Sequence, residues 1–484
     1  MRKLGKNTKF YGSLLIMIIL YLVISNLPLA ADGPLTRKGL QNLALLVSCV
    51  WGWCTLDMVI PTLIGFIAMG FISGNGIAGS FMQGLGSYIV VMLLPLLMIC
   101  GIMMSTGFTK AIAMKMVNTK FANGKPWVII TLLMVVAAVL SLVLPGMAVV
   151  LVIWDLAYGI FESCGYEKGD KTPKVVLIAI CSAATVGMMS SHLSTGVIPA
   201  VGMITAMDPS VVWKPLTYTG ASLVMLAVFL VCNVLLVRFV FRPDVEKLRA
   251  YKAPQEKVPF TTDQKIAGIL MLCFVLLVFI PAFLPQGSAV RNVLEGQWGL
   301  IGFGFLTVIV ALIIHKKNGT PFMPFAEIEK SGLSWQLILM LAAIQVICGS
   351  MSAPEYGVSD WLVSLFSPIL GSVSPFVAVL LLVILAVVVT NLLDSAITSL
   401  VFCVLTMTIA HTIGVNHLGL QAIMMKAAAY GMLLPACSPL LTLLYAKEPD
   451  GWIDSKEILK EAAPQIVMGI VVFAVIGYLT LNWF

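Results

Sequence analysis

Four short interruptions in otherwise apolar sequence hold the groups that could do chemistry. One reads Ser190-Ser191-His192-Leu193-Ser194-Thr195-Gly196, and another reads Leu434-Pro435-Ala436-Cys437-Ser438-Pro439. The other two are Leu144-Pro145-Gly146 and Asn391-Leu392-Leu393-Asp394-Ser395, near the middles of the long apolar stretches 127–161 and 373–413. Hydroxyls and an imidazole can donate to an anion, and hydroxyl oxygens can coordinate a small cation. A carboxylate inside a membrane is costly and marks an ion or proton site, so Asp394 is the expected cation or proton group. Asp155 reads as a capping or pairing residue, and Asp57, at the end of an apolar run, as interfacial. Lys426 precedes the second break; it could attract anions, but outward snorkelling along its aliphatic stem is the expectation.

Such groups need elements to hold them. A helix broken at mid-membrane exposes N–H and C=O groups, which is tolerated only inside protein or beside a cavity. Helix N-termini suit anions, and unwound carbonyls suit small cations. Two tips and two breaks at one depth therefore predict a site for an anion with its coupling ion.

The composition agrees. The 484-residue chain is 60% hydrophobic and 11% charged, against about 25% charged residues in an ordinary soluble domain. This excludes a disordered chain, a disulfide scaffold and a free soluble enzyme. The ten Cys residues are scattered through apolar runs without metal-ligand or redox spacing, and read as small core hydrophobes. Apolar runs of spanning length predict an all-α polytopic membrane protein with about 11 transmembrane helices plus two re-entrant hairpins. The run 10–29 is too long for a signal-peptide core and reads as a retained first span.

With a cytoplasmic N-terminus, 24 of the 29 Lys and Arg residues fall on the cytoplasmic side, as the positive-inside rule requires. The net charge of +7 thus reflects topology rather than a nucleic-acid partner. The order of elements also repeats. Residues 1–32 form the N-terminal segment and first span. Residues 33–241 form a first repeat with hairpin 127–161 opening to the cytoplasm. Residues 242–265 are a charged cytoplasmic linker, and 266–484 a second repeat with hairpin 373–413 opening outward. The repeats are expected to be inverted.

At this point the chain resembles the divalent anion:sodium symporter family of the ion-transporter superfamily. The resemblance runs from Gly33–Gly39 into Trp51–Pro61 and through Gly84–Lys115, which is like that family's span ending in a basic helix. It continues in Phe325–Trp335, like the family's interfacial helix, and in Leu433–Pro439, like its Leu-Pro…Thr-Pro-Pro-Asn break. The family's Ser-Asn-Thr tips are not kept: Pro145-Gly146-Met147 and Asp394-Ser395-Ala396 stand there. The break's Asn is replaced by Leu441, and His192 with Ser194-Thr195 stands at the first break.

Tips, breaks and resemblance together give Gly146, Met147, His192, Ser194, Thr195, Ser395, Ala396, Ser438 and Pro439 as expected substrate contacts. Ser141, Pro145, Ser191, Thr390, Asp394 and Cys437 are the expected coupling-ion residues; Ser141 and Thr390 match family positions that help bind sodium. The resemblance implies a homodimer in the cell (inner) membrane and an elevator motion of the hairpins and broken helices. The expected activity is secondary active transport of a di- or tricarboxylate with sodium or a proton, without other cofactor or metal. A proton-coupled or exchanging transporter of sulfate or another carboxylate is the second reading. An intramembrane enzyme is the alternative of a different class. The chain has no His-Glu-x-x-His pair, and the adjacent Ser190, Ser191 and His192 do not face one another on a helix.

Overall fold

The computed structural model of the chain describes residues 6–29, 33–57, 59–117, 119–194, 197, 200–201, 204, 211–252, 259–285, 288–316, 319–370, 372–392, 395–434, 437–446, 452–453 and 455–484. Among these residues the regular structure is helical, and the sole extended pairing is an isolated bridge between His315 and Pro321. The chain is an all-α polytopic membrane protein. Seven described helices are long and apolar enough to cross a bilayer, and up to ten if three sharply bent helix pairs each count as one span.

The first half opens with α1 (Lys6–Ser25), α2 (Arg37–Thr55), α3 (Val59–Ser73), α4 (Gly76–Leu85), α5 (Tyr88–Ser105) and α6 (Phe108–Val117). Thr36 caps α2 by accepting the Gly39 N–H. Asp57 plays a similar structural part. Its Oδ1 accepts the N–H groups of Val59 and Ile60 at 2.7 Å, satisfying donors at the start of α3. The α3–α4 pair bends by 118° and the α5–α6 pair by 66°, the second at the place where the sequence turns into its basic helix.

Then come α7 (Pro126–Ser141), α8 (Gly146–Ser163), α9 (Lys171–Met188) and α10 (Pro215–Leu235). The second half holds α11 (Thr262–Phe279), α12 (Gly299–Ile313), α13 (Phe325–Gly332), α14 (Trp335–Gly349) and α15 (Val358–Leu370). It ends with α16 (Pro375–Leu392), α17 (Ser395–Ile409), α18 (His417–Ala429), α19 (Pro439–Ala446) and α20 (Ser455–Thr480). A Thr261–Gln264 capping box starts α11, and the Asn416 side chain accepts the Gly419 N–H at the start of α18.

Two helices occupy the centre. In α9 every residue from Thr172 to Gly187 is buried, and in α18 every residue from Leu418 to Ala429. A helix apolar all round is stable only when covered on all sides. Here α7, α8, α10, α19 and α20 pack around α9, while α16, α17 and α20 pack around α18. Close approach demands a missing side chain at Gly187, where a Cβ would collide with the Ala138 carbonyl of α7. The outer helices expose large apolar residues such as Leu223, Val231, Leu272, Leu385 and Val467, the surface a lipid bilayer covers.

A buried polar network ties these helices together. Asn233 of α10 donates to the Ala179 carbonyl of α9 at 3.1 Å, and accepts from Gln465 of α20 at 2.9 Å. Ser182 of α9 donates to Gln465 Oε1 at 3.0 Å and lies 2.6 Å from the hydroxyl of Tyr430. Each link satisfies a group that would otherwise be stranded in a low-dielectric interior.

Candidate anion and coupling-ion site

Helices α7 and α8 are joined by a four-residue turn, Leu142 to Pro145. Helix α16 ends at Leu392 and α17 starts at Ser395. The separation in residues from Ser141 to Thr390 equals that from Gly146, which starts α8, to Ser395, which starts α17. The two central helices stop at breaks, α9 after Met188 and α18 after Ala429.

The breaks and tips are in contact. A Cβ on Gly146 would lie 3.2 Å from Met188 Sδ and 3.5 Å from a Leu440 methyl. The first tip therefore sits between the end of α9 and the start of α19. At the second tip, Asn391 Oδ1 accepts the N–H groups of both Met432 and Leu433 at 2.8 Å, and its Nδ2 reaches the Tyr430 carbonyl at 3.4 Å. The side chain substitutes for the helical bonds that the second break has lost. Cys403 of α17 lies 3.7 Å from the Ala200 carbonyl beyond the first break.

The expected side chains are distributed as follows. Ser141 and Thr390 are fully buried, and neither hydroxyl has a hydrogen-bond partner among the described residues. Ser191 is buried and its Oγ accepts the Leu193 N–H at 3.2 Å. Ser438 is buried and accepts the Leu440 N–H at 3.2 Å, bracing the first turn of α19. Ser194, Ser395 and Cys437 are buried, Pro145 is half-buried, and Met147 is 43% exposed on the first turn of α8. Thr195 and Asp394 lie outside the described residues; Ala396 and Pro439 are in α17 and α19, but their side chains lie outside them. Asp155 is exposed on α8.

His192 is buried at 7% exposure, and its Nδ1 accepts the indole N–H of Trp213 at 2.9 Å. An indole nitrogen can only donate, so Nδ1 carries no proton and the imidazole is neutral with its proton on Nε2. Its backbone N–H lies 3.4 Å from the Thr219 hydroxyl.

Lys426 departs from the snorkelling expectation. It is 1% exposed, and its Nζ donates to Ser222 Oγ at 2.7 Å, to the Ala422 carbonyl at 3.2 Å and to Tyr218 Oη at 3.4 Å. The Tyr218 hydroxyl in turn donates to the Met189 carbonyl at 2.6 Å. The physical reason is the position of Lys426 on a helix covered on every face. Its stem has no route to an interface, and α10 supplies the hydroxyls that replace water. Asn391 and Tyr218 are the positioning residues that the motifs do not reveal.

A family model described as citrate transporter matches residues 43–430. Among solved structures, the chain is similar to the Alcanivorax borkumensis YdaH transporter, described as having an unusual topology. That TM-score is 0.57 at 14% identity over 97% of both chains. It is also similar to Neisseria gonorrhoeae MtrF, whose structure is described as illuminating a class of antimetabolite efflux pumps. That TM-score is 0.54 at 12% identity, over 97% of this chain and 93% of that one. At these identities the likeness speaks for the fold. The family match spans most of the chain, and the protein belongs to the citrate transporter family.

Proposed function

We propose that the protein is a secondary active symporter of di- and tricarboxylates, citrate foremost, coupled to a cation and working by an elevator motion. The observation that carries this reading is the pair Ser141 and Thr390. Two fully buried hydroxyls without partners stand at equivalent positions of the two tips. A buried polar atom left unmade costs about 1–3 kcal/mol, so a group absent from the apoprotein is the natural recipient of their lone pairs. Hydroxyl oxygens beside unwound carbonyls suit sodium, consistent with the divalent anion:sodium symporter motifs that these positions resemble.

The anion would lie at the N-termini of α8, α17 and α19, where unpaired N–H groups and the helix dipoles favour negative charge. The Nε2–H of His192 would donate to a carboxylate, and Ser395 would add a hydroxyl. In this reading α7–α8 and α16–α17 are re-entrant hairpins of two inverted repeats, and α1 to α5 form the fixed scaffold of a homodimer. The protein would sit in the cell (inner) membrane with its N-terminus in the cytoplasm.

The test is uptake of labelled citrate into vesicles holding the purified protein, with unlabelled citrate, succinate or sulfate as competitor. Saturable uptake of unmodified citrate, blocked by citrate and succinate and not by sulfate, is expected. Recovery of a chemically altered product, or competition by sulfate alone, would overturn the reading.

A further inference from the structure

We infer that Lys426 is the proton-carrying group of the transport cycle, charged when the anion is bound and neutral when the empty site returns; this rests on the transport reading above. The ammonium geometry is prepared. Three acceptors, Ser222 Oγ, the Ala422 carbonyl and Tyr218 Oη, match the three N–H donors of a lysine. The Tyr218 ring lies 4.6 Å from Nζ and stabilises positive charge through its π face.

Among the described residues no carboxylate lies within ion-pair distance of Lys426, whereas the ion pairs at Lys247, Arg249 and Lys316 belong to exposed or half-exposed loops and helix ends. A buried ammonium with no opposite charge beside it is disfavoured even when its N–H groups are bonded. An anion arriving at the first break supplies the compensation, and Tyr218 joins Lys426 to that break through the Met189 carbonyl.

Protonation and anion binding therefore favour each other, and this coupling is reciprocal. In the step itself, the Lys426 amine takes one proton from solution on the loading side, forming one N–H bond. On the releasing side the anion leaves, that N–H bond breaks, and the proton follows. One proton and one anion cross together.

Asp394 lies outside the described residues, and among the described residues the surroundings offer few rivals. Tyr218 on α10 touches Nζ directly. Helix α16 carries no titratable residue and α17 carries only Cys403. Helix α20 carries its charged residues, Lys456, Glu457, Lys460 and Glu461, in its first two turns, and Tyr478 near its end. His417 begins α18, and Tyr430 follows its end. His192 lies behind Trp213, held neutral by the indole.

The test uses vesicles with equal sodium on both sides and a pH gradient of about one unit, acid outside. One coupled proton then supports about tenfold accumulation of citrate. Lys426→Met, neutral at every pH, is expected to lose this accumulation and the pH dependence of uptake. Lys426→Arg, charged at every working pH, is expected to bind citrate without the wild-type pH dependence. Ser222→Ala removes the shortest acceptor, and is expected to move the pH midpoint of uptake down by on the order of one unit. This last variant decides the matter should the Lys426 variants not fold. Accumulation by Lys426→Met equal to wild type, or an unmoved midpoint in Ser222→Ala, would overturn the inference. Absence of citrate uptake by the wild-type protein would instead overturn the transport reading on which it rests.

Discussion

Asn391, at the end of α16, accepts the backbone N–H of Met432 at 2.8 Å and so ties the second hairpin tip to the second helix break. The same oxygen holds Leu433, and the amide nitrogen also returns to the Val387 carbonyl at 2.7 Å. Asn391→Ala would strand the buried Met432 N–H, at about 1–3 kcal/mol, and the half-buried Leu433 N–H. A thermal midpoint lowered by several degrees and citrate uptake reduced more than about tenfold are expected. Unchanged uptake in a stably folded variant would show that this brace is dispensable.

Ser141→Ala and Thr390→Val remove hydroxyls that have no hydrogen-bond partner among the described residues. Their loss should leave the thermal midpoint unchanged or raise it slightly, because an unsatisfied buried group disappears. Each should nevertheless raise the sodium concentration for half-maximal uptake by roughly tenfold, if each hydroxyl contributes about 1.4 kcal/mol to the bound ion. Sodium titration of uptake beside a melting curve separates the two effects.

The neutral His192 is expected to bind anion without carrying the coupled proton. His192→Ala should raise the KM for citrate while leaving the number of protons moved per citrate as in wild type. Measuring vesicle pH change alongside labelled uptake gives that ratio. A ratio that falls with His192→Ala would transfer the proton role from Lys426 to His192.

The charged linker docks on the loop before α9 through ordinary surface chemistry. The Tyr166 hydroxyl and the Thr172 hydroxyl both donate to the Asp244 carbonyl, at 2.8 and 2.7 Å, and Lys247 pairs with Asp170 at 3.2 Å. The Glu167 N–H, then Lys247, hold the Asp170 carboxyl below its usual range, so its contribution is present above the ordinary carboxylate pKa and lost as pH falls through the lowered value. Burial, then the Asp244 charge, push the Tyr166 phenol up to about 12; its contribution is complete below the ordinary phenol pKa and lost as pH rises through about 12. Proteolysis of the linker should therefore be flat between about pH 5 and 8, the range in which histidine ordinarily titrates. A transition inside that range would assign the pH dependence of transport to the linker.

Hydropathy makes the all-α membrane class legible, and Pro145 and the Pro435–Pro439 run mark one turn and one break. These signals are local: twenty apolar residues or a proline speak without knowledge of neighbours. The burial of Lys426 is not legible because α18 is apolar on every face, so no period shows which way its one charge points. Its partners Tyr218 and Ser222 come from the other half of the chain. Asn391 reads only as part of a tip because its acceptor role depends on a break about forty residues away. The unsatisfied state of Ser141 and Thr390 is likewise a property of packing, invisible in their types.

Cation-coupled carboxylate transport through the paired tips is the activity proposed for this protein. The most direct measurement is labelled citrate uptake into vesicles at one fixed pH, with and without an inward sodium gradient. Transient accumulation above the external concentration is expected only with the gradient, and is expected to be lost in the Ser141→Ala, Thr390→Val double variant. Citrate that merely equilibrates, with or without sodium and in wild type and variant alike, would contradict it.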